Sequence, residues 1–332
     1  MAFRTSVETR PNGREVITLH DDASGSQASV LPSFGFNLFD LRLPVAGKIT
    51  PILVSAPTFV DDPQGPARHG FPVLFPFPNR IKEGKYTWAG HDYQLPATNG
   101  KNAIHGWAMS SSWKVLGHGV DKDGAYVHGR YSLSEQSPDK HALWPTDGVL
   151  EIRYTLNGSK LSMAATVTNP TNKDLPYGLG FHPYFRIPFT PGGDTANTEV
   201  IIPAAKEWEL VECLPTGKVK PVDARLDFQK GQPRKDLKLD DVLTGLSYTN
   251  GLCTCRLIDK AAKTEFRLSF DNNYREIVVF TPSAGPDVIA VEPYTQTTDA
   301  INLQQQGIDA GLRILKHGES HTLHIAMETA PI

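Results

Sequence analysis

Four short segments set reactive side chains among apolar, glycine- and proline-rich sequence. Glu292 ends the apolar run VIAVE at 288–292, where an ionised carboxylate is costly unless it is paired or faces a cleft. A carboxylate so placed is a candidate general base. His182 lies in YGLGFHPYF at 177–185, and His105 in IHGWAMSSSW at 104–113. Imidazole titrates near neutrality, so it can give and recover a proton in each cycle. Asn79-Arg80 leaves the proline-broken run GFPVLFPFPNRIKEG at 70–84, and a planar guanidinium there can hold hydroxyl or carboxylate oxygens with two donors. Taken singly, each group has a plainer explanation: a hydrogen-bonded structural histidine, a salt-bridged strand end or a surface ion pair. Carboxylate and imidazole are both side chains that general acid–base catalysis uses.

The elements that must position these groups read as strands. EIRYTL at 151–156 alternates polar and apolar residues, Asn157-Gly158 follows as a turn, and LSMAATV at 161–167 resumes the pattern; Asn-Gly between such runs is a strong hairpin signal. A second hairpin is predicted from 255–258 through Lys260-Ala261-Ala262-Lys263 to 265–270. Further strands are expected at 15–19, 126–133, 199–202, 276–280, 288–291 and 321–327, with Pro293 ending the strand that carries Glu292. The 28 glycines and 26 prolines punctuate these runs, and no long stretch keeps a 3.6-residue period, which favours a sandwich or barrel. No linker or repeat interrupts the pattern, so a single domain over 1–332 is expected, with 214–249 as a loop-rich insertion or mobile segment.

Composition narrows the classes of partner. Lys and Arg total 33 against 36 Asp and Glu, a net charge of −3, without the basic stripe that nucleic acid or an anionic membrane requires. Nowhere do about 18 apolar residues run together, and the polar start at 1–12 has no signal-peptide core, so a cytoplasmic location is expected. The three cysteines, Cys213, Cys253 and Cys255, are too few for a disulfide framework. Cys253 and Cys255 would face one side of a strand as reduced thiols. A metal site built from His105, His182 and Glu292 draws no support from their spacing, and no cofactor is implied.

In chain order the motifs are Asn79-Arg80-Ile81, His105-Gly106, His182-Pro183-Tyr184, an Asp-containing loop at 238–241, Glu292-Pro293 and Asp299-Ala300-Ile301-Asn302. This series resembles the aldose 1-epimerase (galactose mutarotase) family over most of the chain. The resemblance implies a large antiparallel β-sandwich of the galactose mutarotase-like type, all-β, with a monosaccharide bound in an open cleft on one sheet by a monomer or homodimer. It further implies that Glu292 is the general base, His182 the general acid and His105 a second histidine near the ring oxygen. Arg80, with Asn79 beside it, would orient substrate, and Asp240 would hold sugar hydroxyls, with Asp241 adjacent as the alternative. Trp107, Tyr184 and Phe185 are candidates for an apolar platform under a pyranose, Phe185 more naturally as core. The wording Glu292-Pro293-Tyr294-Thr295 resembles a divergent bacterial-type branch, so galactose itself is not implied. Hexose-6-phosphate mutarotases of this type carry an arginine soon after the His-Gly, where this chain reads Trp107-Ala108-Met109, which argues against a phosphorylated substrate. A non-catalytic sugar-binding protein on the same scaffold and a hexose-6-phosphate mutarotase are the alternative functions. For the enzyme, a bell-shaped pH profile is expected, with Glu292 on the acidic limb and His182 on the basic limb.

Overall fold

The computed structural model describes residues 3–190, 192–282 and 287–332. It is all-β, with antiparallel pairing in every strand ladder. The largest sheet has nine strands in the order Lys114–Asp121, Gly124–Ser132, Val149–Asn157, Lys160–Thr168, Ser320–Pro331, Thr264–Asp271, Leu252–Asp259, Thr198–Ile201 and Gln232–Pro233. A second sheet of eight strands is centred on Glu276–Phe280 and Val288–Tyr294, and a five-stranded meander runs from Phe3–Thr9 to Lys48–Pro51. Among the described residues no helix is long and apolar enough to cross a membrane.

Strand periodicity explains how the sheets meet. In Val149–Asn157 the side chains of Leu150, Ile152, Tyr154 and Leu156 are buried, while Glu151, Arg153 and Thr155 are half-exposed on the other face, as a two-residue alternation requires. The inward sets of all three sheets join one apolar core. Phe185, paired with Ile289 beside the eight-stranded sheet, meets Phe266 of the nine-stranded sheet with ring centroids 4.8 Å apart. Phe36 stacks on Tyr154 from the meander side. Phe185 is thus a core residue, and so are Cys253 and Cys255, free thiols buried on one side of their strand.

Both predicted hairpins form. The first pairs Asn157 with Lys160, which makes Gly158-Ser159 the two-residue turn, one position later than Asn157-Gly158. Gly158, at φ +60°, takes the first central place, which favours glycine in a type II′ turn. The second closes at Asp259 and Thr264 around Lys260 to Lys263. Two expectations are corrected. Residues 214–249 are no mere insertion, because Leu214–Pro221 and Asp240–Leu246 are strands of the eight-stranded sheet and Gln232–Pro233 edges the nine-stranded one. Pro293 does not end its strand, which runs on to Tyr294 with Pro293 opposite Ile277. On its other side the strand pairs with Gly180 at Tyr294 and with Tyr184 at Ala290. The ladder therefore breaks over 291–293, a place where a residue lacking an N–H is tolerated.

The loop carrying His105 is pinned by close backbone contact. Gly106, at φ +63°, has no room for a side chain: a Cβ there would stand 2.2 Å from the Phe75 carbonyl oxygen, which accepts from the amides of Trp107 and Ala108. Replacing Gly106→Ala is expected to cost at least about 2 kcal/mol of stability through forced backbone movement. Chemical denaturation checks this, and an unchanged midpoint would contradict the packing described.

Candidate active site

The outward face of the eight-stranded sheet forms one wall of a cleft of about 270 Å³, near the small end of the usual range for ligand sites. Residues two apart share that face, so Asp240, Val278 with Phe280, and Glu292 with Tyr294 all line it, while Ile277, Val279, Ile289 and Val291 point into the core. His182 and Tyr184 enter from the interrupted neighbouring strand. The opposite wall comes from Arg68, Asn79, Arg80, Asn99, His105 and Met109.

The break in the ladder opposite Val291 to Pro293 lets His182 reach Glu292. Its Nε2 lies 3.3 Å from Oε1 of Glu292, and the two side chains are nearly withdrawn from water, at 8% and 1% exposure. The other carboxyl oxygen, Oε2, accepts a short hydrogen bond from the Tyr294 hydroxyl. Oε1 has no hydrogen-bond partner, since the His182 contact is close but not aligned as one. Burial disfavours charge on both groups: it raises the Glu292 carboxyl well above the usual carboxylate range and lowers His182 to about 4. The separation is that of an ion pair, yet desolvation favours the neutral form of each group. We therefore describe the two as one unit holding one proton, with that proton on the carboxyl at rest.

His105 and Asn79 hold each other through backbone groups. The His105 amide donates to the Asn79 carbonyl, and the Asn79 amide donates to His105 Nδ1 at 3.1 Å. An acceptor at Nδ1 fixes the ring as the neutral tautomer with its proton on Nε2. Burial, followed by the fields of His182 and Arg80, keeps its proton affinity well below the ordinary histidine value. Both residues sit in the left-handed region, at φ +65° and +55°, a conformation that non-glycine residues keep where surrounding contacts impose it. The ring of His105 meets that of His182 edge-on, with centroids 5.5 Å apart.

Arg80 is aimed by two asparagines. Its Nη1 donates to Asn79 Oδ1 at 3.0 Å and its Nε to Asn99 Oδ1 at 3.1 Å, and no carboxylate pairs with it among the described ion pairs. Asp299 fastens the backbone behind it: its amide donates to the Arg80 carbonyl, and its Oδ1 accepts from the Lys82 amide and from Asn302 Nδ2. The Asp299-Ala300-Ile301-Asn302 motif thus acts as a brace.

The structure brings together Glu292, His182, His105, Arg80, Asn79 and Asp240, and separates two other candidates from them. Asp241 points to the opposite face of its strand and pairs with Arg225 through two 2.8 Å contacts, which leaves Asp240 at the cleft. Trp107 packs edge-on against Phe77 and Trp144 and does not line the cleft; Met109 does. The apolar patch is supplied by Tyr184, stacked on His182 at 5.0 Å, and by Phe280. Sequence reasoning missed Tyr294, Phe280, Arg68 and Asn99. Parity with Glu292 would have placed Tyr294 on the cleft face had Pro293 not been read as a strand end. Arg68 closes a single 3₁₀ turn at Pro66–Arg68 and Asn99 sits in a loop, and neither carries a periodic signal. Among the described residues, no group of three His, Cys, Asp or Glu is arranged to hold a metal ion.

The architecture matches solved structures across nearly the whole chain. A galactose mutarotase-like protein from Clostridium acetobutylicum superposes with a TM-score of 0.88 at 22% identity, covering 99% of this chain and 98% of that one. Galactose 1-epimerase from Lactobacillus acidophilus does so with 0.76 at 19% identity, covering 99% of each. In sequence, the chain is 30% identical to galactose mutarotase from Rattus norvegicus over 155 residues, 44% of this chain and 40% of that protein. It is 26% identical to the protein YphB from Escherichia coli K12 over 174 residues, 49% and 50% of the two. The matched stretches thus span half or less of these relatives. The family described as aldose 1-epimerase matches residues 15–328, and the chain belongs to that family.

Proposed function

We propose that the protein interconverts the α and β anomers of a free aldose by opening and reclosing the sugar ring, as an aldose 1-epimerase. The observation that carries this reading is the 3.3 Å approach of His182 Nε2 to Glu292 Oε1 within a monosaccharide-sized cleft. The two oxygens that must exchange protons, the C1 hydroxyl and the ring oxygen, are both bonded to C1. A base and an acid that serve them must both reach the surroundings of that one carbon, which a contact pair can do.

The proton inventory closes over a turnover. Ring opening needs Glu292 as carboxylate and His182 as imidazolium: Glu292 takes the C1 hydroxyl proton, His182 gives one to the ring oxygen, and the C1–O5 bond breaks to the aldehyde. The pair is then a neutral carboxylic acid beside a neutral imidazole, the form that burial favours. Rotation about C1–C2 presents the other carbonyl face. Closure runs the transfers backward, with His182 recovering the ring-oxygen proton and Glu292 returning its own to O1. The Nε2–H of His105 serves as a neutral donor to oxygen, while Arg80 and Asp240 hold hydroxyl groups. One observation favours a phosphorylated sugar as a second reading: Arg68 also lines the cleft and has no carboxylate partner among the described residues.

Each member of the pair is worth about 10²–10⁴ in rate, so Glu292→Gln and His182→Asn should each lower kcat by that factor while sugar binding persists. Polarimetry or saturation-transfer NMR across glucose, galactose, xylose, arabinose and a hexose 6-phosphate tests this. Near-wild-type turnover in Glu292→Gln would refute the base assignment. Arg80→Ala should raise KM roughly tenfold by removing charge-assisted contacts and lower kcat as well; an unchanged KM would refute its positioning role.

Activity requires the pair to hold one proton, so the pH profile should be a bell. Its acidic limb follows gain of a second proton by His182, whose burial lowers it to about 4. Its basic limb follows loss of the last proton, which the buried carboxyl retains well above the usual carboxylate range. This reverses the limb assignment expected from sequence, because desolvation reverses the order of proton affinities. Loss of activity on the acidic side centred at the ordinary histidine value near 6.5 would contradict it.

A further inference from the structure

We infer that Tyr294 is a positioning residue for Glu292: its hydroxyl holds Oε2, so the carboxyl presents only Oε1 to His182 and the substrate. The catalytic part of this inference rests on the function proposed above, whereas the geometric part does not. Tyr294 and Glu292 lie two apart on one strand and share its cleft face, at 0% and 1% exposure. The hydroxyl donates to Oε2 and to no other described group. Oε1 accepts no aligned hydrogen bond and faces His182 Nε2 at 3.3 Å, a state that in a buried carboxyl calls for an explanation.

The ring that delivers the hydroxyl is itself clamped. Gly180 pairs with Tyr294 across the sheet, and a Cβ at Gly180 would fall 2.4 Å from the Tyr294 ring and 2.7 Å from the Pro78 side chain. Glycine at this point of the Tyr177-Gly178-Leu179-Gly180 run therefore makes the socket in which the phenol lies. Without the hydroxyl, Oε2 would lose its one donor in a site that water barely reaches, and the carboxyl would be free to turn.

Charges that bear on Glu292 come from every neighbouring element. His182 and Tyr184 lie on the interrupted strand, Asp240 on Asp240–Leu246, and Arg80 on the opposite wall. Val278, directly opposite Glu292, is apolar. Glu276, opposite Tyr294, is a buried carboxyl that accepts from Trp208 Nε1, and desolvation raises it to about 8. Among these, the Tyr294 hydroxyl donates directly to the carboxyl, and a donated hydrogen bond favours the ionised form. Tyr294 thus assists the carboxylate state that ring opening consumes.

The test is Tyr294→Phe, which keeps the ring and deletes the donor, with circular dichroism reporting the fold. Carboxyl ¹³C NMR of the sugar-free protein should show the Glu292 titration moved to higher pH relative to wild type; an unmoved titration would overturn the inference. On any sugar that the wild type turns over, kcat should fall about tenfold, the scale of one hydrogen bond to a charged group, with KM within about twofold. The basic limb of the pH profile should move up. Equal kcat would overturn the inference. Gly180→Ala, which keeps the hydroxyl but displaces the ring, should shift the titration in the same direction and serves as the second variant should Tyr294→Phe fail to fold. If the wild type turns over no sugar, the proposed function fails, while the sugar-free titration still decides the role of Tyr294.

Discussion

The site depends on a carboxyl and an imidazole forced together where water is nearly absent. A glutamate that is 1% exposed cannot stay ionised without help, and a histidine that is 8% exposed cannot easily take a proton. Side by side at 3.3 Å, both are pushed by burial toward their neutral forms, a carboxylic acid beside an imidazole. An acid and a base of ordinary solution pKa would settle as a fixed ion pair. Burial removes that preference and favours the neutral pair, the form that the proposed ring opening would leave behind.

The fold creates that contact through a defect. The strand carrying Glu292 is paired on one side from Ala290 to Tyr294, but its other neighbour leaves the ladder between Phe181 and Tyr184. The gap accommodates Pro293 and admits His182. The opposite wall depends on two residues in left-handed conformation, Asn79 and His105, which exchange backbone hydrogen bonds and fix the histidine tautomer. Gly106 permits that loop to lie against the Phe75 carbonyl. Regular sheet supplies rigidity, and the departures from regularity place the chemistry.

Much of this was legible in the sequence. The runs at 151–167 and 255–270 announced hairpins, and the order of short motifs pointed to the family. Of the six residues read from sequence that reach the cleft, Asn79, His105, His182 and Glu292 each stand beside a proline or glycine, whereas Arg80 follows Asn79 and Asp240 lies in an aspartate pair. What failed to show has specific physical causes. Pro293 reads locally as a strand end, because its tolerance depends on an interruption in a neighbouring strand more than a hundred residues earlier. The same misreading hid Tyr294, whose relation to Glu292 is simple strand parity. Asp240 and Asp241 could be told apart only once the strand had a face. Trp107 looked like a sugar platform because it follows the His-Gly, but Phe77 and Trp144 give its ring a better neighbourhood. The pH assignment drawn from sequence rested on solution values, which burial inverts.

What distinguishes this pair from a fixed ion pair is where the shared proton rests before substrate arrives. Ring ¹⁵N chemical shifts of His182 in the sugar-free protein at neutral pH measure this directly. A neutral imidazole that becomes imidazolium only well below pH 6.5 is the predicted result, in keeping with a value of about 4. An imidazolium pattern at neutral pH would contradict it, and would mean that the pair rests as a fixed ion pair in spite of its burial.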